Sequence, residues 1–187
     1  HRTMRVEAVG DPWTRGDVED WVAAALGDAR WVQVGALLRS DFDADALAAL
    51  GQDGRRLLVD AQGLVRVPEV GPLRRDAAVD RACFAHVAAL KLGENEARIL
   101  TGGTSATDVR SIGVDEVLVT LGEAGALVVT PRGAERVPPA SVSDTDDPTG
   151  AGDIFGAAYI VARAEDAEPV EAARHASELV SAVLAER

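Results

Sequence analysis

Short runs of β-forming residues alternate with alanine- and leucine-rich stretches along most of this chain. The clearest runs span residues 31–35, 56–60, 87–92 and 116–121, and the stretches between them carry helical periodicity. Such alternation is typical of βα units, in which parallel strands form one sheet and helices cover its faces. The sequence therefore predicts an α/β fold with a mainly parallel central sheet flanked by helices.

The remaining elements are predicted from the same patterns. Strands are expected at 4–9, 125–130 and 135–137, and helices at 17–26, 43–50, 94–100, 150–163 and 169–186. Trp13, Trp21 and Trp31 are assigned to the core rather than to a ligand platform, because large aromatic side chains are mostly buried. No repeat, low-complexity segment or linker interrupts the sequence, so residues 1–187 are predicted to form a single domain.

The charge balance disfavours two classes of partner. The chain carries 19 Lys and Arg residues against 31 Asp and Glu residues, which gives a formal net charge of −12. An acidic surface repels nucleic acids and anionic membranes, so neither is expected as a partner. No apolar run reaches the roughly 18 residues that a membrane-spanning helix needs. A soluble protein is therefore expected.

A single cysteine, Cys83, and three scattered histidines limit the covalent and metal chemistry of the chain. One cysteine cannot form an internal disulfide, and structural zinc sites need several Cys or His ligands at defined spacing. Cys83 is predicted to be a small buried apolar residue, with a reactive thiol as the alternative. Since no secretory leader opens the chain, a cytoplasmic location is expected.

The segment Asp147-Pro148-Thr149-Gly150-Ala151-Gly152-Asp153 leads directly into an apolar helix. Small residues at a helix start let backbone N–H groups converge, and the positive end of the helix dipole adds to their attraction for an anion. Such groups would hold an oxyanion or a transferring phosphoryl group. The carboxylate of Asp153 can accept a proton from a hydroxyl attacking there. A plain turn followed by an ordinary helix-start acid is the alternative.

Two further segments lie upstream of this motif. They are Lys91-Leu92-Gly93-Glu94-Asn95-Glu96 and Val119-Thr120-Leu121-Gly122-Glu123-Ala124-Gly125-Ala126. Together with residues 147–153 they resemble, in order, three motifs of the PfkB/ribokinase family of carbohydrate kinases. The resemblance implies a ribokinase-like three-layer fold. It also implies an enzyme that transfers the γ-phosphoryl group of ATP to a hydroxyl of a sugar, polyol or nucleoside.

The resemblance assigns a role to each part of the helix-start motif. Asp153 resembles the family's catalytic base, which accepts the proton of the substrate hydroxyl. The stretch Gly150-Ala151-Gly152 resembles the anion hole that holds the transferring group. Asp147 and Thr149 match positions that bind a monovalent cation through backbone oxygens in many relatives, which implies K⁺ as a further cofactor.

ATP and Mg²⁺ are the main cofactors that the resemblance implies. Thr120, Gly122 and Gly125 resemble the residues that shape the nucleotide pocket, although a strand end followed by a hairpin turn is the alternative interpretation. Glu96 matches the family glutamate that places Mg²⁺ and its waters near the phosphates. Gly93 stands where the family has an asparagine, so half of that metal motif is absent.

Two residues outside these motifs are candidates for ligand contact. Asp60 ends a predicted strand, where ligands of open α/β sheets collect. Arg66 can pair with a phosphate or with a nearby acid, and a solvated or structural ion pair is the alternative. The string Val59-Asp60-Ala61-Gln62-Gly63-Leu64-Val65-Arg66 and residues 1–12 are similar to the inositol-kinase-like branch of the family.

The resemblance covers nearly the whole chain but only the later two thirds of a family member. The N-terminal part, which supplies the Gly-Gly sugar-binding segment, an early substrate-binding aspartate and the lid, is therefore expected to be missing. Relatives dimerise through the lid, which implies a homodimer for the full-length protein. A non-catalytic nucleotide-binding module of the same fold is the rival function, supported by the missing segment and by Gly93.

Overall fold

A computed structural model describes residues 4–140 and 149–186 of the chain. In this part, the strands are β1 (Arg5–Val6), β2 (Trp31–Val34), β3 (Arg56–Asp60), β4 (Gly71–Pro72), β5 (Ala89–Gly93), β6 (Glu116–Thr120), β7 (Ala126–Thr130) and β8 (Gly133–Val137). Six of them form the central sheet in the order β2-β3-β5-β6-β7-β8. The strands β2, β3, β5 and β6 are parallel, whereas β7 and β8 are antiparallel to their neighbours. The predicted mainly parallel sheet is confirmed.

The first strand is shorter than predicted. Instead of spanning 4–9, β1 holds two residues and pairs only with β4, in a small antiparallel sheet of its own. Its partner contains Pro72, which has no backbone N–H to donate, so the ladder cannot extend far.

The helices of the described residues are α1 (Arg15–Asp17), α2 (Ala23–Leu26), α3 (Ala44–Leu50), α4 (Ala61–Val65), α5 (Glu94–Thr101), α6 (Ala106–Arg110), α7 (Ala151–Ala164) and α8 (Pro169–Ala185). A π-helical turn, Val18–Val22, joins α1 to α2. The sequence patterns missed α4 and α6, because five residues are too few to show helical periodicity. None of these helices combines the length and apolar character that crossing a membrane requires.

Alternating side chains along the strands build one core on each face of the sheet. Leu57 and Val59 belong to the core shared with α3, α5 and α6, whereas Leu58 belongs to the core shared with α7 and α8. Two helical layers therefore enclose the sheet, and the predicted three-layer fold is confirmed. Cys83 is buried in the first core, as predicted, and burial raises the pKa of its thiol.

The prediction that all three tryptophans lie in the core is wrong for two of them. Trp31 is buried, but Trp13 is 38% and Trp21 is 54% exposed. Their rings pack against each other with centroids 5.4 Å apart, and Trp13 also stacks on Phe42. Trp21 lies inside the π-helical turn, where Ala23 N donates to Val18 O, so the ordinary helical periodicity behind the prediction does not hold there.

Candidate functional site

The parallel strands end at one edge of the sheet, and the start of α7 lies over that edge. Asp60, Gly93 and Thr120 are the last residues of β3, β5 and β6. A Cβ atom built on Gly152 would stand 3.1 Å from Nζ of Lys91 in β5, so the first turn of α7 packs on this strand. Ligands of open α/β sheets bind outside the carboxyl ends of the strands. This edge is therefore the candidate site.

The start of α7 has the geometry of an anion-binding turn. Gly150 precedes the helix with φ +86°, a left-handed conformation that favours glycine. The first helical hydrogen bond runs from Ile154 N to Gly150 O (2.9 Å). The N–H groups of Ala151, Gly152 and Asp153 therefore lie outside the helical ladder. Asp153 is exposed, so its carboxylate is accessible beside those N–H groups.

A buried ion pair lies directly beneath this turn. Lys91 Nζ and Asp60 Oδ2 are 2.7 Å apart, and the two side chains are only 5% and 9% exposed. The other carboxylate oxygen of Asp60 accepts a hydrogen bond from Gln62 N (3.0 Å) and so caps α4. The ammonium group adds positive charge under the anion-binding turn, and Asp60 keeps that charge compensated.

Sequence reasoning missed this ion pair, although it had noted both residues separately. The contact depends on β3 pairing directly with β5, which places Asp60 opposite Lys91. The available signal was the only lysine of the chain, within a run of otherwise apolar strand residues.

Glu96 and Gly93 lie at the end of β5, where α5 begins. A Cβ atom built on Gly93 would collide with Oε2 of Glu96, so this carboxylate folds back over the helix start. Gly93 is also paired with Thr120 of β6, which brings the segments 91–96 and 119–126 side by side. No group of three or more His, Cys, Asp or Glu side chains that could hold a metal ion is found within 4–140 and 149–186. Glu96, the residue predicted to place Mg²⁺, is among the described residues.

The turn after β6 is fixed by two glycines in left-handed conformations, Gly122 (φ +57°) and Gly125 (φ +82°). A Cβ atom on Gly125 would collide with the carbonyl oxygen of Val137, so only glycine fits there. The hydroxyl of Thr120 donates to the carbonyl oxygen of Leu92 (3.2 Å), tying β6 to β5 at the site edge. Both features fix the shape of the turn that follows β6.

Of the two residues predicted to bind a monovalent cation, the structure describes one. Thr149 directly precedes Gly150 at the start of α7. Asp147 lies outside the described residues. The structure therefore brings together Asp153, the glycine-rich turn, Glu96 and the segment 120–125 at one edge.

A second buried charge cluster lies at the opposite edge of the sheet. Glu116, the first residue of β6, accepts hydrogen bonds from Tyr159 Oη (2.7 Å) and from the Arg163 guanidinium (2.6 and 3.2 Å). Arg56 is a further cation near this carboxylate, with 3.4 Å between charged atoms. Trp31 packs under Arg56 and Arg163, with their guanidinium carbons 4.7 and 5.5 Å from its ring centroid. A cavity of about 620 Å³ opens beside this cluster.

Comparison with known proteins identifies one matching family. The family described as pfkB family carbohydrate kinase matches residues 15–187. No curated protein sequence matches the chain. The fold is similar to many solved structures, of which three are informative.

Two of these structures are pyrophosphate-dependent kinases. One, in the ribokinase family and bound to sulfate, gives a TM-score of 0.80 at 25% identity, with 98% of this chain and 64% of that one covered. The other is a myo-inositol-1 kinase converted into a myo-inositol-3 kinase. Its TM-score is 0.82 at 25% identity, with 99% of this chain and 66% of that chain covered. Arabidopsis thaliana ribokinase complexed with ribose and ATP gives a TM-score of 0.70 at 20% identity, with 94% of this chain and 55% of that chain covered. The chain spans 64 to 66% of the length of the pyrophosphate-dependent kinases.

Proposed function

Because the chain belongs to the pfkB family of carbohydrate kinases, we propose that it transfers a phosphoryl group to a hydroxyl of a sugar, polyol or nucleoside. The observation that carries this proposal is the start of α7, where the exposed Asp153 stands beside three N–H groups outside the helical ladder. The buried ammonium of Lys91 lies beneath them. Phosphoryl transfer requires a carboxylate and an anion site at one point.

Asp153 is the catalytic base in this proposal. Its carboxylate accepts the proton of the acceptor hydroxyl while that oxygen bonds to phosphorus, and the bond from phosphorus to the donor's bridging oxygen breaks. The transition state is loose, so the base needs a fixed position more than a high basicity. The first turn of a helix supplies that position, because the hydrogen bonds of the helix fix its backbone.

The stretch Gly150-Ala151-Gly152 forms the anion hole. Its N–H groups, together with the dipole of α7, stabilise the charge on the oxygens of the transferring group. Gly152 has a second role, because a side chain there would crowd Lys91. The absence of that side chain lets the helix start approach the ammonium group closely.

Two donors fit the proposal. ATP is the donor implied by Thr120, Gly122, Gly125 and Thr149, which would line the nucleotide site, and A. thaliana ribokinase is complexed with ATP. Pyrophosphate is the second candidate, because the two kinases with TM-scores of 0.80 and 0.82 use it. Both donors present phosphate groups to the same anion hole.

The residues present fit a magnesium ion held mainly by the donor. Mg²⁺ in kinases is bound by one or two carboxylates, several waters and substrate phosphates. Glu96 supplies one carboxylate at the strand edge and would hold Mg²⁺ through water. When bound, the ion neutralises charge on the donor phosphates. Asp147 and Thr149 are proposed as the K⁺ site, through backbone oxygens.

The proposal extends to the organisation of the protein. Residues 1–187 are taken as the later two thirds of one kinase domain, in keeping with the 64 to 66% of the pyrophosphate-dependent kinases that the chain covers. A homodimer of the full-length protein and a cytoplasmic location belong to the same proposal. The acceptor remains a small molecule, in keeping with the net charge of −12.

The proposal is tested by turnover measured with Mg²⁺, with ATP and pyrophosphate as alternative donors. Acceptors are myo-inositol, ribose and adenosine. Turnover of one acceptor is expected, and the faster donor identifies the donor class. Donor binding without turnover of any acceptor would instead support the non-catalytic nucleotide-binding module.

A further inference from the structure

Two arginines, Arg66 and Arg75, stand directly opposite each other near the end of β3. They form an isolated antiparallel bridge, and the two backbone hydrogen bonds that flank it are both 3.0 Å long. Residues so paired have their Cβ atoms about 4.5–5.5 Å apart and their side chains on the same side. Two like charges in this position repel each other.

Neither arginine forms an ion pair with a carboxylate in the part of the chain that the structure describes. Three neighbouring acids are already paired: Asp76 with Arg39, Glu69 with Arg74, and Asp60 with Lys91. Nε of Arg66 is fully buried and has no hydrogen-bond partner. In a chain with 31 acidic and 19 basic residues, two adjacent cations without a carboxylate are unexpected. Within 4–140 and 149–186, no carboxylate lies at ion-pair distance from either guanidinium group.

This pair of arginines lies one short helix away from the ion pair of the candidate site, because Asp60 is the N-cap and Arg66 the C-cap of α4. Burial and the charge of Arg75 lower the pKa of Arg66, whereas the charges of Glu96 and Asp60 raise it. Asp60 in turn contacts Lys91, which lies under Gly152. Asp60 therefore links the helix that carries Arg66 to the ion pair under the anion hole.

We propose that Arg66 and Arg75 together bind a phosphate group of one of the reactants, adjacent to the anion hole of α7. A guanidinium group donates two parallel hydrogen bonds to phosphate oxygens, and a phosphate has enough oxygens and charge for two such groups. The bound phosphate brings negative charge to the two guanidinium groups and relieves the repulsion between them. The inference rests on the proposed kinase function, which provides two sources of phosphate: the donor and the phosphorylated acceptor.

The test measures ligand affinity by calorimetry in Arg75→Gln, Arg66→Lys and the control Arg74→Gln. Arg74 is the neighbour of Arg75 in sequence and is also exposed, but it is paired with Glu69. The probes are pyrophosphate, ATP and a polyol monophosphate. Arg75→Gln is expected to lower the affinity for one class of probe about tenfold or more, because a charged hydrogen-bond partner is lost. Arg66→Lys keeps the charge but loses the paired hydrogen bonds, so it should weaken the same probe.

The pattern of loss identifies the source of the phosphate. Weaker binding of pyrophosphate and ATP assigns the pair to the donor, and weaker binding of the polyol monophosphate alone assigns it to the acceptor. Affinities equal to the unmodified protein in both variants, or an equal loss in Arg74→Gln, would overturn the inference. Because binding is measured without turnover, a failure of the kinase proposal is seen separately, as the absence of turnover in the unmodified protein.

Discussion

Buried charges lie at both edges of the central sheet, the edge where the parallel strands begin and the edge where they end. The two edges differ in how completely those charges are paired. At the edge where β6 begins, the carboxylate of Glu116 is surrounded by Arg163, Tyr159 and Arg56. At the edge where β3 and β5 end, Lys91 has one carboxylate partner and Arg66 has none among the described residues. The N–H groups at the start of α7, which lie outside the helical ladder, and the exposed Asp153 complete that second edge.

This difference separates a structural cluster from a ligand site. Buried charges that satisfy one another fasten elements together, and here Glu116 connects β6 to α7 through Tyr159 and Arg163. Although burial lowers it, hydrogen bonding and the charge of Glu116 raise the pKa of the Arg163 guanidinium, so the ion pair is favoured. Unsatisfied donors are costly in the absence of a partner, which makes the opposite edge suited to an anionic ligand.

The largest effect is expected from Asp153→Asn. If the carboxylate is the base, turnover falls by about 10² to 10⁴, while the donor still binds because the N–H groups remain. Asp45→Asn, in the first turn of α3, is the matched control and should leave turnover unchanged. Steady-state kinetics measure turnover, and calorimetry measures donor binding. Full turnover in Asp153→Asn would remove the catalytic assignment.

The next largest effect is expected from Lys91→Met. Removing one member of a buried ion pair leaves Asp60 as an uncompensated charge, which costs about 3–5 kcal/mol of unfolding free energy. The double variant Lys91→Met/Asp60→Asn has no such charge and should regain much of that loss. Urea denaturation measures both values. A loss of less than about 1 kcal/mol in the single variant would mean that the pair is not buried as described.

The sequence predicted the parts of this site that are local in the chain. Gly150, Gly152 and Asp153 form one short string before a helix, and their geometry follows from the helix start itself. The turn around Gly122 and Gly125 is equally local. In each case a few consecutive residues determine the backbone conformation, so no knowledge of the sheet order is needed.

Features that depend on strand order or on irregular backbone could not be predicted. The contact of Asp60 with Lys91 requires β3 and β5 to be neighbours, which no pattern in either strand specifies. Trp21 lies in a π-helical turn that ordinary helical periodicity does not anticipate. The bridge between Arg66 and Arg75 lies in a segment without regular secondary structure. These contacts are set by packing between distant segments.

A moderate effect on stability alone is expected from Tyr159→Phe. The variant loses a hydrogen bond to the carboxylate of Glu116, which costs about 1.5–3 kcal/mol. Turnover of the folded protein should not change, because this cluster lies at the edge remote from Asp153. Unfolding free energy and turnover measured on the same preparation test both statements. Loss of turnover without loss of stability would show that the two edges are coupled.

The stability difference between the unmodified protein and the same variant is expected to depend on pH. Burial and the charge of Glu116 raise the pKa of Tyr159 above its ordinary value, so the folded state keeps the phenol protonated. The resulting stability is present below the unfolded pKa of about 10 and is lost as the pH rises above it. The stability difference between the unmodified protein and Tyr159→Phe should therefore narrow above about pH 10. A constant difference from pH 7 to 11 would contradict this assignment.

The smallest effect is expected from Gly93→Asn, which restores the family residue at the start of α5. Its backbone angles (φ −77°, ψ 167°) suit any residue, and asparagine caps a helix better than glycine by a few tenths of a kcal/mol. The new side chain requires the carboxylate of Glu96 to move, which the flexible end of a glutamate permits. Stability should rise slightly, while the Mg²⁺ concentration that supports half-maximal turnover should shift. Glu94→Gln, an exposed change in the same turn, is the control, and an equal shift in both variants would argue against a specific role for Glu96 in placing the metal.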